Sequence, residues 1–158
     1  MKKHFIVTVI LSLVAGVPLN SPAAPNKEVY ELEERCGKQA TKFFQAKYGD
    51  GYDTSHLKNE DMAMTSLSHF SNHYNIKSNS CFILITTSVT LEHKKPDSDC
   101  MGSKQELWNI NENNQLGFFY QYKCRDSSNL DTCRVSAANC KSQGEWELLI
   151  RPYMNDAE

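Results

Sequence analysis

A chain of 158 residues with 17 Lys and Arg against 19 Asp and Glu has no basic excess to neutralise a phosphate backbone, which argues against non-specific nucleic-acid binding. One hydrophobic run approaches membrane length and it lies at the N-terminus, so a multi-span membrane protein is excluded. The length suits one domain with a real core.

The N-terminal run has the layout of a secretory signal. Lys2 and Lys3 precede an almost unbroken apolar stretch from Phe5 to Val17, and Ser21-Pro22-Ala23 supplies small residues at the −3 and −1 positions of a cleavage site. The stretch is shorter than the roughly 20 residues a spanning helix needs, which disfavours an uncleaved anchor. Cutting after Ala23 leaves Ala24 first, whereas cutting one residue later would put Pro25 beside the scissile bond. No cysteine stands there to take a lipid. The expected organisation is a signal peptide over 1–23 and a single globular domain over 24–158, periplasmic or secreted, with no membrane span in the mature chain. Losing Lys2 and Lys3 leaves 15 basic residues against 19 acidic ones, a formal charge of −4.

Asn26 is placed to cap a helix over Lys27 to Tyr48. Its acidic residues lie toward the N-terminal half and its lysines toward the C-terminal half, as the helix dipole favours. Val29, Leu32, Cys36, Ala40, Phe43 and Phe44 recur at helical spacing and form one apolar face. Gly49-Asp50-Gly51 ends it. Residues 50–61 read as loop. From Met62, alternation puts Met64, Phe70, Tyr74 and Ile76 on one face of a strand and Leu67, His69, His73 and Asn75 on the other. A turn at Lys77–Ser80 leads to a second strand, with Cys81, Ile83, Ile85, Thr87, Val89 and Leu91 on one face and Phe82, Leu84, Thr86 and Ser88 on the other. Residues 93–102 and 125–132 read as loops. Between them, Gln105–Ile110 and Gln115–Cys124 form a second hairpin, in which Phe118, Tyr120, Tyr122 and Cys124 share a face. That face reads as core, leaving Phe119 as an exposed ring. Cys133-Arg134-Val135 reads as a short strand. Ser142-Gln143-Gly144-Glu145 is a capping box opening a last helix whose inward stripe is Trp146, Leu149, Ile150 and Tyr153, and which Pro152 should end or kink. No internal repeat is evident.

Six cysteines, Cys36, Cys81, Cys100, Cys124, Cys133 and Cys140, all fall in the mature part. An even count in an exported chain points to disulfides, and six allow 15 pairings.

Several landmarks occur together: Glu34-Arg35-Cys36-Gly37-Lys38 on the first helix, His73-Tyr74-Asn75 before Cys81-Phe82, Leu107-Trp108-Asn109-Ile110-Asn111-Glu112-Asn113 before Gly117, and Cys133 with Cys140-Lys141-Ser142 before Glu145-Trp146 and Arg151-Pro152-Tyr153-Met154. In these the chain resembles a group of small exported bacterial proteins, over most of its mature length. The resemblance implies no activity. It implies that Cys36, Cys81, Cys133 and Cys140 are general to the group and that Cys100 and Cys124 are an added pair. The pairing it suggests is Cys36–Cys81, Cys100–Cys124 and Cys133–Cys140.

Candidate chemistries are few. His69 and His73 share a strand face, with Met62 and Met64 nearby in sequence, but a metal needs three or four convergent ligands. Paired cysteines leave no thiol for nucleophilic work, and no Cys-x-x-Cys is present. Serine-hydrolase and phosphate-loop signatures are missing. Asp97-Ser98-Asp99 resembles a fragment of a calcium loop, without the Gly and distal Glu such a loop requires.

The expected fold is α+β: an antiparallel sheet of four to five strands with an N-terminal helix and a short C-terminal helix on the same face or at an edge, stapled by disulfides. The expected role is non-enzymatic: binding a macromolecular or cell-envelope partner, with no cofactor, no metal and no nucleic acid. His69, His73 and Phe119 form the candidate binding face. One alternative is an inhibitor of an extracellular enzyme such as a lysozyme or protease, acting through loops at 93–104 and 125–132. Another is a weak metal-binding protein or hydrolase using His69 and His73.

Intact-mass analysis of the chain expressed with its N-terminal segment in a bacterium is expected to read a mature protein beginning at Ala24. A mass that retains residues 1–23 would contradict the cleavage reading.

Overall fold

In the computed structural model, residues 27–56, 62–93, 100–124 and 127–155 are described. The expected signal peptide, its cleavage point and the Asn26 cap lie outside them.

The chain runs α1 (Lys27–Tyr48), β1 (Tyr52–His56), β2 (Met62–Asn75), β3 (Ser80–His93), β4 (Cys100–Asn109), β5 (Asn114–Cys124), β6 (Ser127–Val135), β7 (Ala138–Asn139) and α2 (Gln143–Met154). All strands join one antiparallel sheet in sequence order, each hydrogen-bonded to its neighbours along the chain. The α+β class and the disulfide staples are present, but the sheet has seven strands rather than four to five. The extra strands are β1 and β7, short edge pieces, and most of β6, which had read as loop. Tyr52–His56 and Ser127–Thr132 are polar, without an apolar alternation; β1 is an edge strand and β7 pairs only Arg134 and Val135 of β6, so both stretches are held by backbone pairing to a single neighbour. The loop expected at 93–102 also shrinks, since β3 reaches His93 and β4 starts at Cys100.

The two helices lie on opposite faces of the sheet, not on one face or an edge. α1 brings Ala40 and Phe44 onto Ile83 and Ile85. α2 brings Trp146 and Ile150 onto Phe82, Leu107, Phe119 and Val135. Consecutive apolar residues in β3 dictate this, because neighbours along a strand point to opposite faces and each set needs its own cover.

The long hairpins turn on the same device. In β2–β3, the Asn75 side-chain oxygen accepts from the Ser78 amide and hydroxyl, and Asn79 takes a φ of +50°. In β4–β5, the Asn109 oxygen accepts from the amides of Asn111 and Glu112, and Asn113 takes a φ of +50°. Both turns read Asn-Ile-x-x-Asn, a short internal repeat against the expectation of none. Asparagine suits both ends, since its side chain imitates a turn carbonyl and its backbone tolerates the left-handed region.

α1 ends at Gly49, whose amide returns to the Gln45 carbonyl at 3.0 Å. Two residues on, Gly51 has a φ of +86°, and a β-carbon there would stand 2.4 Å from the Ser68 carbonyl oxygen, so only glycine lets the chain lie against β2. At α2, the Ser142 hydroxyl accepts from the Glu145 amide and the Glu145 carboxylate accepts from the Lys141 amide, close to the capping box read from sequence. The helix passes through Pro152 and ends two residues later at Met154. The Pro152 carbonyl accepts from the Asn75 side chain at 3.0 Å, tying the helix end to the first turn.

The disulfides join Cys36 to Cys81, Cys100 to Cys124 and Cys133 to Cys140. The first pins α1 to β3, the second bridges facing residues of β4 and β5, and the third closes the β6–β7 hairpin. Closing a loop of 45 residues, Cys36–Cys81 constrains the unfolded chain by about 4 kcal/mol in the entropy model.

Trp146 is the largest fully buried side chain, and its indole N–H donates to the Gln105 side-chain oxygen at 2.6 Å. Gly117 lies beneath it: a β-carbon there would meet the indole at 3.0 and 3.1 Å and the Arg134 carbonyl at 3.3 Å. Gly117→Ala is therefore expected to destabilise the fold by about 1–3 kcal/mol through overpacking. A urea-unfolding midpoint equal to wild type would refute this.

Candidate functional site

α1 covers only part of its sheet face. Its contacts run from Cys36, bonded to Cys81, to Tyr48, whose hydroxyl donates to the Glu106 carboxylate. Strands β2 and β3, each 14 residues long, continue past that point. Beyond the end of α1 their α1-side residues are half-buried Met64, Ser66, Val89 and Leu91, continued across the sheet by Gly102, Tyr120 and Tyr122.

Two depressions occupy this bare half. One, of about 570 Å³, lies between the α1 terminus and β1 to β4, lined by Lys47, Tyr48, Asp50, Tyr52, Thr87 and Lys104 among others. The other, of about 290 Å³, is lined by Val89, Leu91, Gly102, Tyr120, Tyr122, Asp131 and the Cys100–Cys124 bridge. They share Val89, and Lys104 in the first faces Tyr120 in the second across the β4–β5 ladder, so they are halves of one cleft. Volumes of this size are those of small-ligand sites.

The inner end of the cleft is a charged cluster. The Glu106 side chain is 9% exposed. Its carboxylate takes the Tyr48 hydroxyl, the Gln115 amide at 3.3 Å, the Lys104 ammonium at 3.3 Å and the Lys47 ammonium at 3.7 Å. Lys47 also lies over the Trp108 ring, 3.5 Å from its centroid. Burial raises the Glu106 carboxyl above the usual carboxylate range, against the downward pull of Lys47 and of the Gln115 bond. Burial, with Lys47 adding to it, lowers the Lys104 ammonium. The cluster fixes where α1 stops and thus where the cleft begins.

The residues expected to form a binding face do not meet. Phe119 is 1% exposed and packs against Trp146, so it belongs to the core and not to a surface. The face assignment of β5 is reversed: α2 covers Phe119, while Phe118, Tyr120 and Tyr122 stay half-exposed on the side that α1 leaves open. His69 and His73 do share a face, that of α2, with His69 exposed beside Thr86 and His73 half-buried beside Phe82. Four residues along an extended strand separate them by about 14 Å, too far to share one metal ion. Among the described residues, no three His, Cys, Asp or Glu side chains converge as a metal site would require. The candidate inhibitory loops are altered as well: 93, 100–104 and 127–132 are strand, and the remainders, 94–99 and 125–126, lie outside the described residues.

Lys104, Glu106 and Trp108 alternate along β4 on one face, and that alternation was the available signal for the cluster. Its meaning depended on Lys47 and Tyr48 arriving from α1. Comparison with protein-family models, curated proteins and solved structures returned no match.

A folded-state carboxyl raised above its unfolded value contributes stability below the unfolded value and loses it as pH rises through the folded one. Glu106→Gln cannot titrate. The unfolding free energy of wild type minus that of Glu106→Gln is therefore expected to fall as pH climbs from the ordinary carboxylate range toward neutrality. Urea titrations of both proteins across that range measure it, and a difference that rises with pH would reverse the assignment.

Proposed function

We propose that this chain is an exported, non-enzymatic binding protein of the bacterial cell envelope or its surroundings, and that its ligand occupies the cleft on the α1 side of the sheet. The observation that carries the reading is that cleft: a half-open concavity lined by tyrosines, hydroxyls and charges of both signs, on a rigid floor of paired strands. Disulfides agree with an oxidising compartment, and a bridge set into the cleft wall suits a preorganised site. Export and envelope partnership are further supported by the secretory layout of residues 1–23 and by the resemblance to small exported proteins. Neither the inhibitor reading nor the histidine-based hydrolase reading gains a structural feature of its own.

The test immobilises residues 24–158 and exposes them to a bacterial envelope fraction, beside two variants. Tyr120→Ala/Tyr122→Ala removes two cleft rings without touching the Glu106 cluster. His69→Ala alters the opposite face. Envelope material is expected to be retained by wild type and by His69→Ala, and lost from the double variant. Retention that follows His69, or that ignores the cleft residues, would overturn the assignment.

A further inference from the structure

Deepening that reading, and resting on it, we propose that the cleft takes an uncharged oligosaccharide, with one sugar ring seated on Tyr120.

The geometry begins at Gly102. A β-carbon there would stand 3.4 Å from both Cε2 and Oη of Tyr120 and 3.6 Å from Cβ of Val89. Tyr120 rises from β5 opposite Lys104, yet its ring leans diagonally across β4 into the space that a side chain at position 102 would fill. The hydroxyl end of the ring thus reaches over Gly102, and the ring lines the cleft half-exposed, open to a ligand laid on it. Tyr122 adds a second ring, 6.2 Å away between centroids and inclined by 35°. An aromatic face carries negative quadrupolar charge. The axial C–H bonds on one side of a pyranose carry the complementary positive charge, so a sugar ring stacks on such a floor.

The charges point to the same class. Around the cleft stand Lys47 and Lys104 and, against them, Asp50, Asp53 and Asp131, with Glu106 beneath. Both ammonium groups already face the Glu106 carboxylate. Lys47 and Lys104 oppose a cationic ligand, and the aspartates oppose an anionic one, including a nucleic-acid strand that could stack on tyrosine. A neutral polyhydroxyl ligand can use both signs, because each hydroxyl donates to a carboxylate and accepts from an ammonium. Ser66 and the Tyr48 hydroxyl add neutral partners along the same wall.

The experiment measures binding of residues 24–158 to four soluble probes: the β-1,4-linked tetramer of N-acetylglucosamine, cellotetraose, an anionic tetragalacturonate and the cationic chitosan tetramer. At least one neutral probe is expected to bind, with both charged probes weaker. Tyr120→Ala should weaken that binding about tenfold, and Gly102→Val should do likewise by lifting the ring. Tyr120→Phe, which keeps the ring, should stay within about threefold. On wild type alone, saturation of the aromatic protons should transfer to the C–H face protons of one sugar residue, a readout that needs no variant to fold. Binding of neither neutral probe, preference for a charged one, or transfer absent from bound sugar would overturn the proposal. If the envelope fraction is still retained in a cleft-dependent way, only the ligand class falls. If cleft variants retain it unchanged, the site itself falls.

Discussion

β3 must be covered on both sides, and most of the architecture follows from that requirement. Phe82, Ile83, Leu84 and Ile85 are consecutive, and an extended backbone sends them alternately to opposite faces. Ile83 and Ile85 have no exposure and Phe82 has 4%. Leaving either set in water would forfeit about 1.5–3 kcal/mol for each large side chain. One helix cannot serve both faces. α1 therefore takes one side and α2 the other, each anchored where β3 begins: α1 by Cys36–Cys81, and α2 by Tyr153 edge-on to Phe82.

The same arrangement leaves the far half of the sheet open. Near β3's start the α1-side residues Ile83 and Ile85 are fully covered; toward its end Thr87 is buried and Val89 and Leu91 follow it half-buried. The helix stops level with Glu106, opposite Ile85, and leaves Val89 and Leu91 without helical cover. Glu106 makes that boundary firm, because a carboxylate so little exposed has to keep its partners, and two of them belong to the last two residues of α1. Lys47 in turn is held by Trp108 on the neighbouring register position of β4. The cleft is thus a by-product of where hydrophobic cover ends, with its depth set by a polar clamp at the inner end.

Much of this frame could be read from residues. The α1 face, the Ser142 cap, the β2–β3 alternation and the inward stripe of α2 were legible because each is a local pattern. What escaped depends on distant parts. The alternation in β5 shows two faces but not which one α2 covers, and by composition the more aromatic face reads as the core. Trp146 decides the matter by occupying the space over Gly117, and no spacing within β5 reports that. β1 and the 127–132 part of β6, which β7 does not pair, escaped because a strand at a sheet edge is recruited by its neighbour's backbone and needs little apolar patterning. The repeated Asn-Ile-x-x-Asn was available but short, and two positions in five are unconstrained. Of the cleft, the residues were visible and their meeting was not.

The three disulfides also have an order. Cys36 is bonded to Cys81, Cys100 to Cys124 and Cys133 to Cys140, so each cysteine is paired with its nearest unpaired successor and no loop encloses or crosses another. Read from the N-terminus, cysteines become available in the sequence in which they are used. An oxidant that joined each newly emerged thiol to the one waiting before it would reach this set directly, without an isomerase to undo a wrong bond. The sheet grows in the same direction, one adjacent strand at a time, so cross-links and strand pairs can accumulate together on a chain delivered from its N-terminus.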